Sequence, residues 1–150
     1  MKQLTRVVVI FVAFDSCRFA SADELPMVHP LFSDHMVLQR DKTIPVWGWA
    51  DPRERVTVSF NGQSLRTRTN ADGRWQVELA SMPAGGPYEL VVEGQNEIRL
   101  QDVWVGEVWI ASGQSNMEWR MDKVNNAEQE IADANYPKIR LFDIKRRMSA

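Results

Sequence analysis

Length, composition and charge are those of an ordinary globular protein. The chain has 150 residues, of which 44% are hydrophobic and 25% are charged, enough for one domain of common size. Its formal net charge of −2 offers no basic field to a polyanion. We therefore expect no nucleic-acid partner.

The first 22 residues form a segment of a different kind. Lys2 and Arg6 precede a short apolar run, Val7 to Phe14, and Ala20-Ser21-Ala22 matches the small-residue pattern of a cleavage site. This order is typical of a secretory signal peptide, and the run is too short to span a bilayer. We expect residues 1–22 to be a signal peptide cleaved after Ala22, and the protein to be secreted or periplasmic without a stable membrane span. A plain N-terminal extension is the alternative.

The mature chain that this cleavage would leave contains no cysteine. Cys17 is the only cysteine, and it lies within the segment predicted to be removed. The mature protein would then form no disulfide, and its stability would come from its hydrophobic core.

Period-two alternation dominates residues 23–102. Val56, Val58 and Phe60 share one face of a predicted strand, and Leu65, Thr67 and Thr69 share one face of the next. Trp75, Val77 and Leu79 are predicted to face inward. Asn61-Gly62 and Asp72-Gly73 separate these runs and favour tight turns, because such residues tolerate positive φ. Residues 83–87, PAGGP, predict a further break. Short alternating strands with turns roughly every 8–12 residues are typical of a sandwich or barrel, and we expect an antiparallel β-sandwich domain over residues 23–102.

The last third of the chain has another pattern. Val103–Ala111 is almost continuously apolar, which favours a strand buried on both faces. A polar turn follows, and then a helix-forming stretch that starts at Asn125 with Glu128 as its capping-box partner. Lys138–Ile144 favours another strand. Strand, turn, helix and strand open an α/β unit with a parallel sheet, so we expect residues 103–150 to be the incomplete start of a second domain.

Ser115 is the candidate nucleophile. It lies between the predicted buried strand and the helix, where a turn can present its hydroxyl at the carboxyl end of the strand, the edge at which open α/β folds bind ligands. Nearby backbone N–H groups can face a developing oxyanion. Met117 replaces the last glycine of a G-x-S-x-G elbow, so a plain strand-to-helix turn remains an alternative. Ser64, in the chain's other Gly-Gln-Ser, lies in a predicted hairpin and needs no function.

The segment GEVWIASGQSNMEW, residues 106–119, resembles the nucleophile block of sialate O-acetylesterases in the SGNH hydrolase superfamily. Further stretches that resemble this family, in its order, are PLFSDHMVLQR, PVWGWADP, VTVSFNGQ, ADGRWQVEL and AGGPYEL. The resemblance implies that Ser115 attacks the acetyl ester of an O-acetylated sugar or glycan through an acetyl-serine intermediate, without a cofactor. It also implies that the Ser115 N–H helps to hold the oxyanion and that Gly113 permits the turn. Gln114 and Asn116 match the motif without individual roles.

The general base that the resemblance implies is absent from the sequence. Family members carry a D-x-x-H block near the C-terminus, in which the histidine is the base and the aspartate orients it, and take oxyanion donors from later blocks. The only histidines here are His29 and His35, both ahead of the β region, and we expect His35 to be a surface or packing residue. We therefore expect this chain to be an N-terminal fragment, or a truncated product, of an esterase and to be inactive alone.

A second class of function is a non-catalytic β-sandwich module that binds carbohydrate or a partner. Tryptophan faces stack on sugars, but Trp47, Trp49 and Trp75 share strand faces with core positions, which favours packing. Trp104, Trp109 and Trp119 flank the serine, and one of them can line a sugar pocket. The histidine spacing matches no metal-ligand pattern, so we expect no metal. The sugar remains open, acetylated xylan included, as do the acetyl position and the oligomeric state.

Overall fold

The computed structural model describes residues 25–113, 115 and 119–143, and the predicted signal peptide lies outside them. These residues form seven strands and one α-helix. The strands are β1 (Val37–Gln39), β2 (Ile44–Trp49), β3 (Arg55–Phe60), β4 (Gln63–Arg68), β5 (Arg74–Leu79), β6 (Gly85–Glu93) and β7 (Glu97–Gly106), and the helix is α1 (Ala127–Asp133). No helix in the described ranges is long and apolar enough to cross a membrane.

The strands are arranged in a five-stranded mixed sheet and a two-stranded sheet. The larger sheet has the order β1-β7-β6-β3-β4, and β2 pairs with β5 in the smaller one. All pairs are antiparallel except β1 and β7, which run parallel with Val37 opposite Trp104. The predicted antiparallel pairing is therefore correct for every pair but this one, whose three-residue edge strand was not predicted.

The hairpin between β3 and β4 forms at the predicted turn. Asn61 and Gly62 have φ values of 42° and 79°, and Phe60 lies opposite Gln63 at the base of the turn. Two consecutive positive φ values match the right-handed twist of the flanking strands. The turn thereby fixes which side chains of β3 and β4 point inward.

A single hydrophobic core receives side chains from both sheets. Its buried members are Val28, Leu38, Ile44, Val46, Val56, Val58, Phe60, Trp75, Val77, Leu79, Met82, Leu90, Val92, Val103 and Val105. The residues predicted to share one face of β3 and those predicted to face inward on β5 are all among them. On β4, Leu65 and Thr67 are half-buried and Thr69, just beyond the strand, is buried, so these residues share one face as predicted and pack less deeply than those of β3.

The break predicted at residues 83–87 is only partly present. β6 already begins at Gly85 and includes Pro87. Its register against β7 shifts between Gly85 and Tyr88 and again between Tyr88 and Leu90. The glycines and proline therefore produce irregular pairing within the strand rather than a separate turn.

The predicted strand Val103–Ala111 is wrong in its second half. β7 ends at Gly106, opposite Gln39, the last residue of β1, and residues 107–113 have no regular structure. Val103 and Val105 face the core, but Trp109 and Ile110 are 87% and 92% exposed. The apolar run contains an ordinary one-sided strand end followed by an unpaired segment. The boundary predicted between residues 102 and 103 falls within β7.

The helix is confirmed, but its predicted capping box is wrong. α1 begins at Ala127, and the preceding Asn126 has a φ of 58° and makes no side-chain cap. No strand forms over residues 138–143, so the predicted strand Lys138–Ile144 is also wrong within the described part. That segment pairs with no strand among the described residues, and its alternating pattern does not suffice alone.

Candidate functional site

Ser115 lies on an exposed segment beyond the end of β7. The strand stops at Gly106, and both Gly113 and Ser115 are exposed to solvent. Gln114 and Asn116, the other two residues of the predicted site, lie outside the described residues. The hydroxyl of Ser115 is thus open to an approaching ligand, although the predicted extended strand does not reach it.

His35 is paired with an aspartate that sequence reasoning did not single out. Its Nδ1 is 2.6 Å from Oδ2 of Asp102, across 67 positions of the chain. His35 precedes β1 and has an exposed side chain, whereas Asp102 lies within β7 and is partly shielded. A histidine predicted to be a surface or packing residue is therefore half of an Asp–His pair.

Two further side chains bind the same carboxylate. The indole N–H of Trp104 donates to Asp102 Oδ1 at 2.8 Å, and a guanidinium nitrogen of Arg140 lies 2.9 Å from Oδ2. The hydrogen bond from His35, then that from Trp104, then the bond and charge of Arg140 lower the pKa of Asp102 to about 2, because all three favour the ionised form. Arg140 also donates to the backbone carbonyl of His35, at 3.3 Å.

Backbone conformation aims these two side chains at each other. His35 and Asp102 both have left-handed backbones, with φ values of 64° and 54°, which side chains of this size rarely adopt. The His35 N–H donates to the carbonyl of Gln101 at 3.0 Å, and the Gln101 N–H donates to Asp34 Oδ1 at 2.7 Å. These bonds fix the start of β1 against the middle of β7.

The sequence does contain a trace of this arrangement. Ile98 and Leu100 lie on one phase of the alternation along β7, and the buried Val103 and Val105 lie on the other. The phase changes at Asp102, as it does where a strand carries an extra residue. A break in alternation at a charged residue was the available signal, but nothing in the sequence identifies His35 as its partner.

The Asp–His pair is oriented as in a general base, but among the described residues His35 makes no hydrogen bond to a nucleophile. A carboxylate that holds one imidazole nitrogen leaves the other free to take a proton. No hydrogen bond joins His35 to Ser115 in the described part of the chain, and Asp102 is shared with Arg140 and Trp104. The contacts that are present tie β1, β7 and the segment around Arg140 together.

The tryptophans divide into four environments. Trp75 is buried and its indole N–H donates to the carbonyl of Met27 at 3.0 Å, so the predicted packing role is confirmed for this residue. Trp47 and Trp49 are half-buried on the outer face of β2 and line a groove with His29. Trp109 is exposed, as is Trp119, whereas Trp104 is held against Asp102. Trp47 and Trp49 therefore present aromatic surface that the core does not use.

Metal-ligating side chains are not grouped within the described residues. No set of three or more histidine, cysteine, aspartate or glutamate side chains lies close enough there to hold an ion. The Asp102 carboxylate is instead occupied by nitrogen donors. The chemistry that this part of the molecule offers is that of a serine hydroxyl, an imidazole and hydrogen-bond donors.

Comparison with known proteins identifies similar sequences but no matching family model. Sialate O-acetylesterases from Mus musculus and Homo sapiens are each 32% identical to the chain, over 124 and 125 residues, and one from Rattus norvegicus is 34% identical over 124 residues. These alignments cover 74–75% of this chain and 23–24% of each relative. The chain therefore spans about a quarter of the length of these relatives.

A solved structure is similar in both sequence and fold. The crystal structure of a carbohydrate acetylesterase from Xanthomonas citri superimposes with a TM-score of 0.68 at 44% identity. The match covers 75% of this chain and 26% of that one. Sequence and fold thus point to the same group of relatives over three quarters of the chain.

Proposed function

The chain belongs to the sialate O-acetylesterase family, a family of esterases, and we propose that it supplies the nucleophile, Ser115, of a serine-type carbohydrate O-acetylesterase. The observation that carries the proposal is the exposed position of Ser115 just beyond β7, within the segment GEVWIASGQSNMEW. An esterase nucleophile must be reachable by the acyl carbon of its substrate. Ser115 meets this condition.

The proposed reaction is acetyl transfer in two steps. The Ser115 Oγ attacks the acetyl carbonyl carbon while a base takes its proton. The protonated base then gives that proton to the sugar oxygen, so that the sugar leaves as an alcohol and the acetyl-serine forms. Water then attacks the acetyl-serine and releases acetate. The backbone N–H of Ser115 is one proposed donor to the oxyanion, and Gly113 permits the tight turn. Gln114 and Asn116 belong to the same proposed turn.

The general base is proposed to come from a D-x-x-H block that the printed sequence does not contain. Both histidines of the chain are preceded at the third position by residues other than aspartate. His35 is a weaker candidate because its partner, Asp102, is also held by Arg140 and Trp104. Sequencing the gene past the codon for Ala150 tests whether such a block follows.

The proposal also covers the arrangement of the two sheets and the location of the protein. The mixed five-stranded sheet and the β2–β5 sheet would form the two layers of a β-sandwich, and the residues after β7 would enter an SGNH-type α/β hydrolase domain. The apolar run Val7–Phe14 and the Ala20-Ser21-Ala22 site support export to the periplasm or the medium. The substrate class is an O-acetylated sugar, with sialic acid and other acetylated glycans as its candidates.

Two matched serine variants test the proposed nucleophile. In the protein expressed from the gene's full open reading frame, Ser115→Ala should lower kcat on O-acetylated sialic acid by at least about a thousandfold, because the attacking atom is removed. Ser64→Ala changes the other Gly-Gln-Ser and only removes a 3.3 Å contact with Ser59, so it should leave kcat unchanged. The 150-residue chain by itself should show no burst on an acetyl ester.

Equal activity of Ser115→Ala and the parent protein would refute the proposal. If the 150-residue chain shows a burst that disappears in Ser115→Ala, Ser115 is still the nucleophile. Such a result would contradict the proposal that the base comes from a D-x-x-H block outside the chain. A burst that persists in Ser115→Ala would place the reaction elsewhere in the chain.

A further inference from the structure

A groove of about 440 Å³ lies on the outer face of the two-stranded sheet. The residues that line it are distant in sequence from the exposed Ser115 segment. Its volume lies within the range of roughly 300–1,000 Å³ that is usual for small-molecule sites. Trp47 and Trp49 of β2 face Gln76 and Arg74 of β5 in the antiparallel register. One wall is therefore aromatic and the opposite wall is polar.

The aromatic wall consists of three rings held in fixed positions. The His29 ring lies between the two indoles, with centroids 5.4 Å from Trp47 and 5.5 Å from Trp49. Phe32 supports Trp47 edge-on, at 4.8 Å and 79°. Because the Leu31 N–H donates to His29 Nδ1 at 3.1 Å, a neutral ring carries its proton on Nε2 and can donate it.

The polar wall is rich in hydrogen-bond donors. Arg68 and Arg74 line it and form no ion pair among the described residues, and the groove lining contains no carboxylate. Asn70 uses its Oδ1 to accept the N–H groups of Asp72 and Arg74, at 3.0 and 2.8 Å, which leaves its amide N–H groups for a ligand. Two guanidinium groups without a carboxylate partner favour an anion, and their planar forks match a carboxylate.

We propose that this groove binds a pyranose sugar that carries a carboxylate group. The faces of Trp47 and Trp49 are electron-rich and suit the weakly positive C–H bonds of a sugar ring. Arg68 and Arg74 bind the carboxylate, and Asn70 donates to a ring hydroxyl. The groove is thus a carbohydrate-binding site separate from Ser115, and its binding does not depend on esterase activity.

Indole ¹H–¹⁵N resonances of the 150-residue chain test this site directly. We expect N-acetylneuraminic acid and methyl β-D-glucuronide to shift the Trp47 and Trp49 signals and to leave that of the exposed Trp109 in place. Methyl β-D-glucoside, which differs from the glucuronide by lacking the carboxylate, should bind about tenfold more weakly because it loses a charge-assisted hydrogen bond.

Arginine variants separate the groove from general surface charge. Arg74→Gln and Arg68→Gln should each raise the Kd for the acidic sugars about tenfold. Arg66→Gln should leave Kd within about twofold, since Arg66 lies two residues along the same face of β4 but does not line the groove. Trp49→Ala, checked for folding by its remaining indole signals, should abolish binding.

Three outcomes would overturn the proposal. One is the absence of indole shifts with both acidic sugars at concentrations of tens of millimolar. Another is equal affinity for the glucuronide and the glucoside. The third is an equal effect of Arg66→Gln and Arg74→Gln on Kd, which would show that the binding is nonspecific charge attraction.

Discussion

At the scale of single residues, Asp102 is the point where distant parts of the chain meet. His35 precedes β1, Trp104 is two residues further along β7, and Arg140 follows α1, yet all three bind the one carboxylate. These bonds stabilise a charged residue in the middle of a strand at a positive φ. Strained backbone of this kind persists only where surrounding contacts hold it.

The lowered pKa of Asp102 predicts a loss of stability in acid. Its pKa falls from 3.8 to about 2 on folding, so the carboxylate stabilises the fold fully above pH 4. This contribution is lost as the pH falls from about 4 through about 2. Urea unfolding midpoints measured across this range should fall more steeply for the parent chain than for Asp102→Asn, which has no proton to bind.

Asp72→Asn is the matched control for this measurement. Asp72 lies in the turn before β5, and its carboxylate accepts no hydrogen bond within the described residues. The control should reproduce the acid profile of the parent chain. Parallel profiles for Asp102→Asn and the parent chain would contradict the proposed linkage.

At the residue level, the role predicted for Ser115 stays a prediction, and the Asp–His pair was not predicted. Ser115 is surrounded by neighbours in sequence that resemble a known block, and the exposed position of its side chain agrees with that role. His35 and Asp102 are brought together by the parallel pairing of β1 with β7, a contact between distant parts of the chain. No local pattern records it.

At the scale of elements, alternation and turn chemistry located most of the strands. β3, β4 and β5 were predicted because their side-chain period and their Asn-Gly and Asp-Gly turns are local features. β7 was misjudged because Glu97–Leu100 and Val103–Gly106 look like two strands when the irregularity at Asp102 separates them. The end of the strand depends on where β1 ends, and the residues of β7 cannot encode that.

Gly48 of β2 lies in close approach to the backbone of Met27 and Val28. A Cβ there would collide with the backbone carbonyl of Met27, and the Met27 carbonyl also accepts the N–H of Trp49 at 3.2 Å. Gly48→Ala should therefore displace the segment that carries His29 and cost about 1–3 kcal/mol or more, measured by urea unfolding. Gly62→Asn is its control, because Gly62 has open space around it and asparagine tolerates its φ; a similar loss in both variants would contradict this reason.

At the scale of the whole molecule, apolar side chains are unevenly covered. The core formed by the two sheets is tightly enclosed, whereas Trp109, Ile110 and Leu141 are each exposed by more than four fifths. Within Val103–Ile110, the exposed apolar surface therefore lies only beyond Gly106. Exposed apolar surface of this kind marks interaction sites or sites of aggregation.

We expect the 150-residue chain to self-associate through this segment. Light scattering at increasing protein concentration should show oligomers that persist at high salt, because apolar contacts are not screened. The double change Trp109→Ser and Ile110→Ser should reduce this association and leave the urea midpoint unchanged, since neither side chain contributes to the core. A monomeric parent chain across the concentration range would contradict the expectation.

Whole-molecule organisation was the least predictable level. The β-rich first part follows from local alternation, but the assignment of the residues after β7 to a second domain depended on a strand prediction that is only half correct. Where a run of apolar residues is covered depends on partners that its own sequence does not specify. The family likeness, carried by several segments in order, supplied what periodicity did not.

Trapping the acetyl-enzyme intermediate tests whether Ser115 is the nucleophile. The protein from the full open reading frame would be mixed with O-acetylated sialic acid, quenched in acid and digested, and its peptides analysed by mass spectrometry. We predict an added acetyl group on Ser115 and none on Ser64. Acetylation of another residue, or turnover without any acetyl-enzyme during the pre-steady-state phase, would contradict the claim.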